Sequence, residues 1–232
     1  MIRRSLPAGS GHVVRVRCSE RRDGDYSVHS DPETLARARN FLAPGSWTWL
    51  QQVHGASVVV VDAPGARCGA SADASVTGCI DAVLSVQTAD CASLVLAAEG
   101  LVGIVHAGWR GIVEGVIGAT FDVLRRLGGE EVHALLGPCI APASYQFGRA
   151  DLDLVAAVVG DCVRSRTADG SLALDLPAAV SAQCNKAGVS SFSVVGPPDS
   201  AKPFDTAGSR WYSHRTRGES ERQATVAWLE KT

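Results

Sequence analysis

Long apolar runs are missing from this sequence. Its most hydrophobic stretches, such as Ser57-Val58-Val59-Val60-Val61 and Leu94-Val95-Leu96, are strand-length, well short of the roughly 20 residues that cross a bilayer, so a membrane-spanning protein is not expected. An excess of positive charge is missing too. Lys and Arg total 22 against 24 Asp and Glu, a formal net charge of −2, and no overall field draws the chain to nucleic-acid phosphates. The N-terminal basic residues run into Ser5-Leu6-Pro7-Ala8-Gly9-Ser10-Gly11 instead of the apolar core of about 7–15 residues that a secretory signal requires, and a cytoplasmic location is expected. Seven cysteines without a C-x-x-C pair do not form a disulfide framework, so reduced thiols are expected. At 46% hydrophobic and 20% charged residues the chain is not disordered. With no internal repeat, low-complexity tract or long linker, it reads as one mixed α/β domain over 1–232.

What is there begins with a helix start. Asp31-Pro32-Glu33-Thr34 supplies an N-cap and a proline at the first helical position, and Leu35, Ala38 and Leu42 share one face, which predicts a helix over 32–42. Strand-like runs follow at 58–62, 82–87, 92–97 and 101–105, each broken by Gly, Pro or charge. Beyond Gly111, the spacing of Val113, Val116, Ile117, Phe121, Leu124 and Leu127 predicts a helix that ends at Gly128-Gly129. Further helices are expected at 152–159 and 176–187, and strands at 132–136, 189–195 and 225–229.

Three short segments carry candidate chemistry. Trp49-Leu50-Gln51-Gln52-Val53-His54-Gly55 ends an apolar stretch on a histidine beside a glycine, where a tight turn leaves the imidazole in a cleft. Gln87-Thr88-Ala89-Asp90-Cys91 sets a carboxylate beside a thiol between two apolar strands; a buried structural cysteine is the plain alternative. Val105-His106-Ala107-Gly108-Trp109-Arg110-Gly111 ends a strand on a histidine and opens a helix between two glycines. Free N–H groups and the helix dipole suit an anion there, and Arg110 adds a bidentate donor; the alternative is a capped helix with a solvated arginine. His54, Cys91 and His106 together offer one thiolate and two imidazoles, a set that zinc accepts in catalytic sites with three protein ligands. They lie far apart in sequence, so their convergence depends on how the strands pair. Other signatures are absent: no H-E-x-x-H, no H-x-E with P-C-x-x-C, no G-x-S-x-G and no G-x-x-x-x-G-K-[ST].

The order Gln52-Val53-His54-Gly55, Ala72-Asp73-Ala74, Thr88-Ala89-Asp90-Cys91, His106-Ala107-Gly108-Trp109-Arg110-Gly111 and Leu136-Gly137-Pro138-Cys139-Ile140 resembles the YfiH/laccase-domain family, once labelled multicopper polyphenol oxidases. Cys18-Ser19 through Arg22 and Ser27 is similar to its N-terminal Arg-Gly-Gly segment, and Trp211-Tyr212-Ser213-His214-Arg215 to its C-terminal Phe-Ser-Tyr-Arg stretch. There are departures. Asp25 stands at the second Gly, the Leu-Asn-Leu-Gly stretch is missing, a Cys-Thr pair is lost near 201–206, and Glu221-Arg222 replaces Gly-Arg. These bear on the rim of the substrate pocket more than on the metal centre.

The resemblance implies a single α/β domain of cytotoxic-necrotizing-factor and YfiH-like layered mixed sheets with flanking helices, and zinc ligands at His54, Cys91 and His106. It implies a purine nucleoside phosphorylase that splits adenosine, inosine, guanosine and methylthioadenosine with phosphate and also deaminates adenosine. Copper polyphenol oxidation is the weaker expectation. A type 1 copper site usually adds an axial methionine, the sole methionine is Met1, and His12, His29, His133 and His214 stand in unrelated contexts. Under the zinc reading Arg22 and Arg110 are expected at phosphate or a sugar hydroxyl, and Gln52, Tyr145 and Arg215 elsewhere on the substrate. Cys91 is expected at the reaction centre, with Asp90 moving a proton, orienting a ligand or only capping. Cys18, Cys68, Cys79, Cys139, Cys162 and Cys184 are expected to be structural. Two alternatives remain: a Cys91-nucleophile hydrolase editing a peptidoglycan precursor, a role linked to some members of the family, and a metal-free binding domain. The partners implied are purine nucleosides and phosphate, with no nucleic acid, no membrane and no particular oligomeric state.

Overall fold

Alternating and continuous apolar strands sort into two stacked sheets. The computed structural model describes residues 1–9, 11–197 and 202–232. Its strands are β1 (Ile2–Pro7), β2 (His12–Cys18), β3 (Trp47–Thr48), β4 (Leu50–Gln51), β5 (Val58–Val61), β6 (Ala70–Ser71), β7 (Ala74–Thr77), β8 (Val83–Thr88), β9 (Ala92–Ala98), β10 (Leu101–Ala107), β11 (His133–Leu136), β12 (Arg164–Arg166), β13 (Leu172–Leu174), β14 (Ser191–Val194) and β15 (Gln223–Lys231). Its α-helices are α1 (Pro32–Leu42), α2 (Trp109–Glu114), α3 (Val116–Arg126), α4 (Arg149–Val159), α5 (Leu176–Lys186) and α6 (His214–Arg217). One sheet has the order β1-β2-β15-β8-β3 and the other β14-β11-β9-β10-β7-β5, with β4/β6 and β12/β13 as two small ribbons. Both large sheets are mixed: β3/β8, β5/β7 and β11/β14 are parallel, and the remaining neighbours are antiparallel.

The core divides into layers. Val14, Val16, Leu84, Val86, Ala227 and Leu229 of the first sheet pack against Val95, Ala97, Val102 and Ile104 of the second. On the far side of the second sheet, Leu94, Leu96 and Val105 meet Ile112, Ile117, Phe121, Leu124 and Val180 from α2, α3 and α5. The outer face of the first sheet is partly closed by α1, whose Leu42 joins Trp47, Val83 and Val226. The sequence of layers is helix, sheet, sheet, helices. β9 and β10 are covered on both faces, which is why their residues form unbroken apolar runs instead of an alternating pattern.

Helix α1 forms where the sequence predicts it, with Pro32 at its first position and the Asp31 carboxylate accepting from the Thr34 N–H at 2.9 Å. The helix expected beyond Gly111 is divided in two. Gly115 takes a left-handed φ of 92° and donates its N–H to the carbonyls of Gly111 and Ile112, ending α2 so that α3 can start in a new direction. The strand expected at 225–229 extends to Gln223–Lys231, and the one at 189–195 contracts to Ser191–Val194. β1 was not expected, because it buries only two of its six side chains and is rich in arginine. Among the described residues no helix is long and apolar enough to cross a membrane. Of the departing stretch 201–206, Ala201 lies outside the described residues.

The topology places three chain segments together. β8 ends at Thr88, β9 begins at Ala92 and β10 ends at Ala107, and the β8–β9 and β10–α2 turns lie on the same side of the molecule as the loop after β4.

Candidate metal centre

Each of the three candidate ligands sits on a turn that the surrounding chain holds in place. His54 has a left-handed φ of 61°, a conformation that costs a residue with a Cβ roughly 1–2 kcal/mol. Three hydrogen bonds offset that strain: the N–H groups of Val53, His54 and Gly55 donate to the Asp73 carboxylate at 3.2, 2.9 and 2.8 Å. Gln52 fixes the other end of the loop. Its amide nitrogen donates to the Gln87 carbonyl and its amide oxygen accepts from the Gln87 N–H, both at 2.8 Å. Gly111 lets α2 approach, since a Cβ there would lie 2.9 Å from the Gly55 carbonyl oxygen.

His106 closes β10. Its N–H donates to the Asp73 carbonyl at 2.7 Å, and its Nδ1 lies 2.8 Å from Asp73 Oδ1. Pairing Nδ1 with a carboxylate fixes the tautomer and ring orientation and leaves Nε2 as the free donor atom, the arrangement that metal-binding imidazoles use. Asp73 therefore ties both histidines together.

Cys91 follows Asp90, another residue with left-handed φ, at 103°. The buried Asp90 side chain accepts from Ser213 Oγ at 2.6 Å, Thr206 Oγ1 at 2.9 Å and the Arg215 N–H at 2.6 Å. Its carbonyl accepts from the Ile140 N–H. Asp90 thus fastens the C-terminal segment beneath the Cys91 turn, and its lone pairs are directed there.

The ligand atoms of His54, Cys91 and His106 all lie within 4.8 Å of one another. Cys91 Sγ is 3.9 Å from His54 Nε2, and the two imidazoles meet edge to face with centroids 4.8 Å apart. His54 is exposed, Cys91 half-buried and His106 buried, so the cluster has one open side. Burial alone would raise the Cys91 thiol, yet His106 and then His54 outweigh it and bring it down to about 6. Burial likewise opposes a charge on His106, and Cys91 and Asp73 reverse this, lifting it to about 9. The Asp73 carboxyl is held below its usual range: burial opposes this, and the hydrogen bonds from His106 and Gly55 prevail. A deprotonated thiol beside two neutral-capable imidazoles is a donor set for a borderline-soft divalent ion. Gly108 leaves room for it, since a Cβ there would stand 2.8 Å from His54 Cδ2 and 3.3 Å from Cys91 Sγ. The trio can hold a metal ion.

A groove of about 920 Å³ opens over the cluster. It brings Gln52, His54, Cys91 and His106 together with Trp49, Ser27, His29, His214 and Arg222. His29 and His214 were expected in unrelated contexts, and the fold corrects this by carrying both to the groove. Arg222 arrives with the Glu221-Arg222 departure, and Asp25, the other departure, shapes the same rim: its carboxylate accepts from the Ser27 N–H at 2.8 Å and the Arg222 N–H at 2.9 Å. The remaining expected site residues lie outside the groove lining. Arg22 is exposed and ion-paired with Glu20 at 3.3 Å. Arg110 is exposed with its guanidinium 4.3 Å over the Trp109 ring. Arg215 stacks 5.0 Å over Tyr145, which is buried edge-on to Phe147. Asp73 and Gly108 had no expected role, although both stand in the motifs that carry the family resemblance.

Comparison with known proteins bears on this arrangement. The family model described as multi-copper polyphenol oxidoreductase laccase matches residues 17–230. A purine nucleoside phosphorylase of Xylella fastidiosa is 38% identical over 192 residues, 78% of this chain and 71% of that protein. A purine nucleoside phosphorylase of Mycobacterium bovis is 33% identical over 217 residues, 89% of this chain and 84% of that protein. The solved structure of Bacillus licheniformis hypothetical protein YfiH superposes with a TM-score of 0.82 at 19% identity, covering 97% of this chain and 99% of that one, which supports the same layered fold.

Proposed function

This chain belongs to the multi-copper polyphenol oxidoreductase laccase family, and we propose that within it this chain is a zinc-dependent purine nucleoside phosphorylase that also deaminates adenosine. The observation that carries the proposal is the His54, Cys91 and His106 cluster, with its ligand atoms within 4.8 Å of one another beneath a groove large enough for a nucleoside. Relatives named purine nucleoside phosphorylase support the substrate class.

His54 Nε2, Cys91 Sγ and His106 Nε2 would hold the ion. Zinc bound there supplies Lewis acidity toward a phosphate or water oxygen. The chain's own residues do the rest. Asp73 fixes the orientation of His106 and the loop of His54, and Asp90 positions the Cys91 turn. Trp49 offers an aromatic wall for the purine, and Arg222, at the rim, offers a guanidinium to phosphate or ribose. His29 and His214, which line the groove, would carry the proton to the leaving base. The donor set lacks the methionine of a blue-copper centre, which argues against phenol oxidation despite the family's description.

One second reading has an observation in its favour. A Cys91 thiol lowered to about 6 beside two imidazoles is also the makeup of a cysteine nucleophile, as in a hydrolase of a peptidoglycan precursor. Product chromatography separates the two. Zinc-quantified protein with adenosine and phosphate is expected to release adenine and ribose 1-phosphate, and without phosphate to form inosine. Absence of adenine and inosine under both conditions would reject the nucleoside reading and favour the hydrolase.

A further inference from the structure

The outer face of the first sheet is only half covered. Helix α1 closes over Val83, Ala224 and Val226, and past Leu42, its last residue, β1, β2 and β15 lie open. The strand register sets Arg3 opposite Arg17 and Ser5 opposite Arg15, and Arg15 opposite Trp228. Directly opposed residues of antiparallel neighbours project to the same side, so three guanidiniums and an indole share this face. Glu230 pairs with Arg15 at 2.5 Å, and among the described residues no carboxylate ion-pairs with Arg3 or Arg17.

Like charges directly opposed across two strands destabilise a sheet, and the Arg3–Arg17 pair is therefore a cost that a bound anion would remove. Arg17 is already fixed. Its guanidinium stacks 5.0 Å over the Trp228 ring and donates to the Leu42 carbonyl at the end of α1. The side chains wall an open cavity of about 620 Å³, within the usual range of small-molecule sites, about 300–1,000 Å³. It shares no residue with the groove over the metal centre.

The charge distribution selects the kind of anion. The chain as a whole carries −2, and the face offers three guanidiniums, fewer than the roughly 6–10 phosphate contacts of a nucleic-acid-binding surface. A compact, multiply charged phosphate fits it. Arg17, stacked over the half-buried Trp228, presents the outer face of its guanidinium as a flat surface on which a base can stack. We propose that this face is a binding site for a nucleoside triphosphate, with Arg3 and Arg15 on the phosphates and the base against Arg17 and Trp228.

Equilibrium dialysis of the metal-loaded protein against ATP, inorganic tripolyphosphate and a ten-residue oligothymidine tests this. The expected result is saturable binding of one ATP per chain, weaker at high salt, with tripolyphosphate bound less tightly and the oligonucleotide not retained. The Arg3→Gln/Arg15→Gln double variant changes exposed side chains only and is expected to melt normally and lose at least tenfold in ATP affinity; Trp228→Leu is expected to narrow the gap between ATP and tripolyphosphate. His54→Ala, which disrupts the metal centre, is expected to bind ATP as before. The proposal is overturned if ATP is not bound, if the double variant binds it undiminished, if His54→Ala abolishes binding, if tripolyphosphate binds as tightly as ATP, or if the oligonucleotide is retained. None of these outcomes depends on which reaction the metal centre performs.

Discussion

Replacing Gly108 by alanine adds one methyl group where the three candidate ligands converge. Gly108 has φ −75° and ψ 159°, a conformation open to any residue, so the substitution strains no backbone. Two small effects on folding oppose each other. Reduced freedom of the unfolded chain stabilises by about 0.4–1 kcal/mol, and alanine is a poorer N-cap than glycine for α2 by a comparable amount. Because these two offset, chelator-treated protein is expected to fold cooperatively, with its melting temperature lowered only by the displacement of the His54 ring. The candidate metal centre does not have that tolerance. The new Cβ would lie 2.8 Å from His54 Cδ2 and 3.3 Å from Cys91 Sγ, and since carbon atoms pack at about 3.5–4.0 Å, His54 must move by more than half an ångström. The Asp73 carboxylate resists that movement through three backbone hydrogen bonds, whereas metal–ligand distances tolerate only about 0.2 Å. Zinc affinity is expected to fall by about 10–100-fold, the size seen when groups that orient ligands are lost. Titration against a chromophoric chelator measures it directly. Wild-type zinc affinity in Gly108→Ala would mean that His54 and Cys91 do not share an ion in this geometry, and the centre as assigned would be wrong.

Two further perturbations probe the same cluster. Asp73→Asn leaves a buried His106 without its carboxylate partner and weakens the clasp on the His54 loop; unfolding free energy is expected to drop by roughly 3 kcal/mol in denaturant titration, with zinc affinity down about 10–100-fold, and an unchanged value of either would show that Asp73 is not the common anchor. In metal-free protein, the Cys91 contribution to stability is fully present above about pH 8.5, the ordinary thiol value, and is lost as pH falls through about 6. The His106 contribution is fully present below about pH 6.5 and is lost as pH rises through about 9. The charged pair therefore coexists between about 6 and 9 and titrates as a unit. Melting temperature is expected to peak in that window and fall on both sides, and a Cys91→Ser variant with the same profile would refute the coupling.

What the sequence discloses about this molecule follows from how local each signal is. The start of α1 depends on Asp31 and Pro32 alone, and the doubly covered β9 and β10 announce themselves as apolar runs, so these elements are legible by eye. The division of α2 from α3 is not, because a glycine inside a helical pattern does not say whether it will adopt the 92° φ that Gly115 takes. The candidate ligand trio was legible only as chemistry: His54, Cys91 and His106 are the right residue types, and their convergence depends on β8 in one sheet and the paired β9 and β10 in the other bringing their ends to the loop after β4. The rim was the least legible part. Arg222 and His29 reach the groove because Asp25 accepts hydrogen bonds from both Ser27 and Arg222, chain segments nearly the whole sequence apart. Asp25 looks like a defect when compared with the family's glycine there, and only the fold shows that its carboxylate joins the two sides of the groove. An argument that weighs each residue against its immediate neighbours ranks Arg110, next to a ligand histidine, above Arg222. The fold sets the Arg110 guanidinium over the Trp109 ring, outside the groove lining, and the chain entering β15 brings Arg222 into that lining.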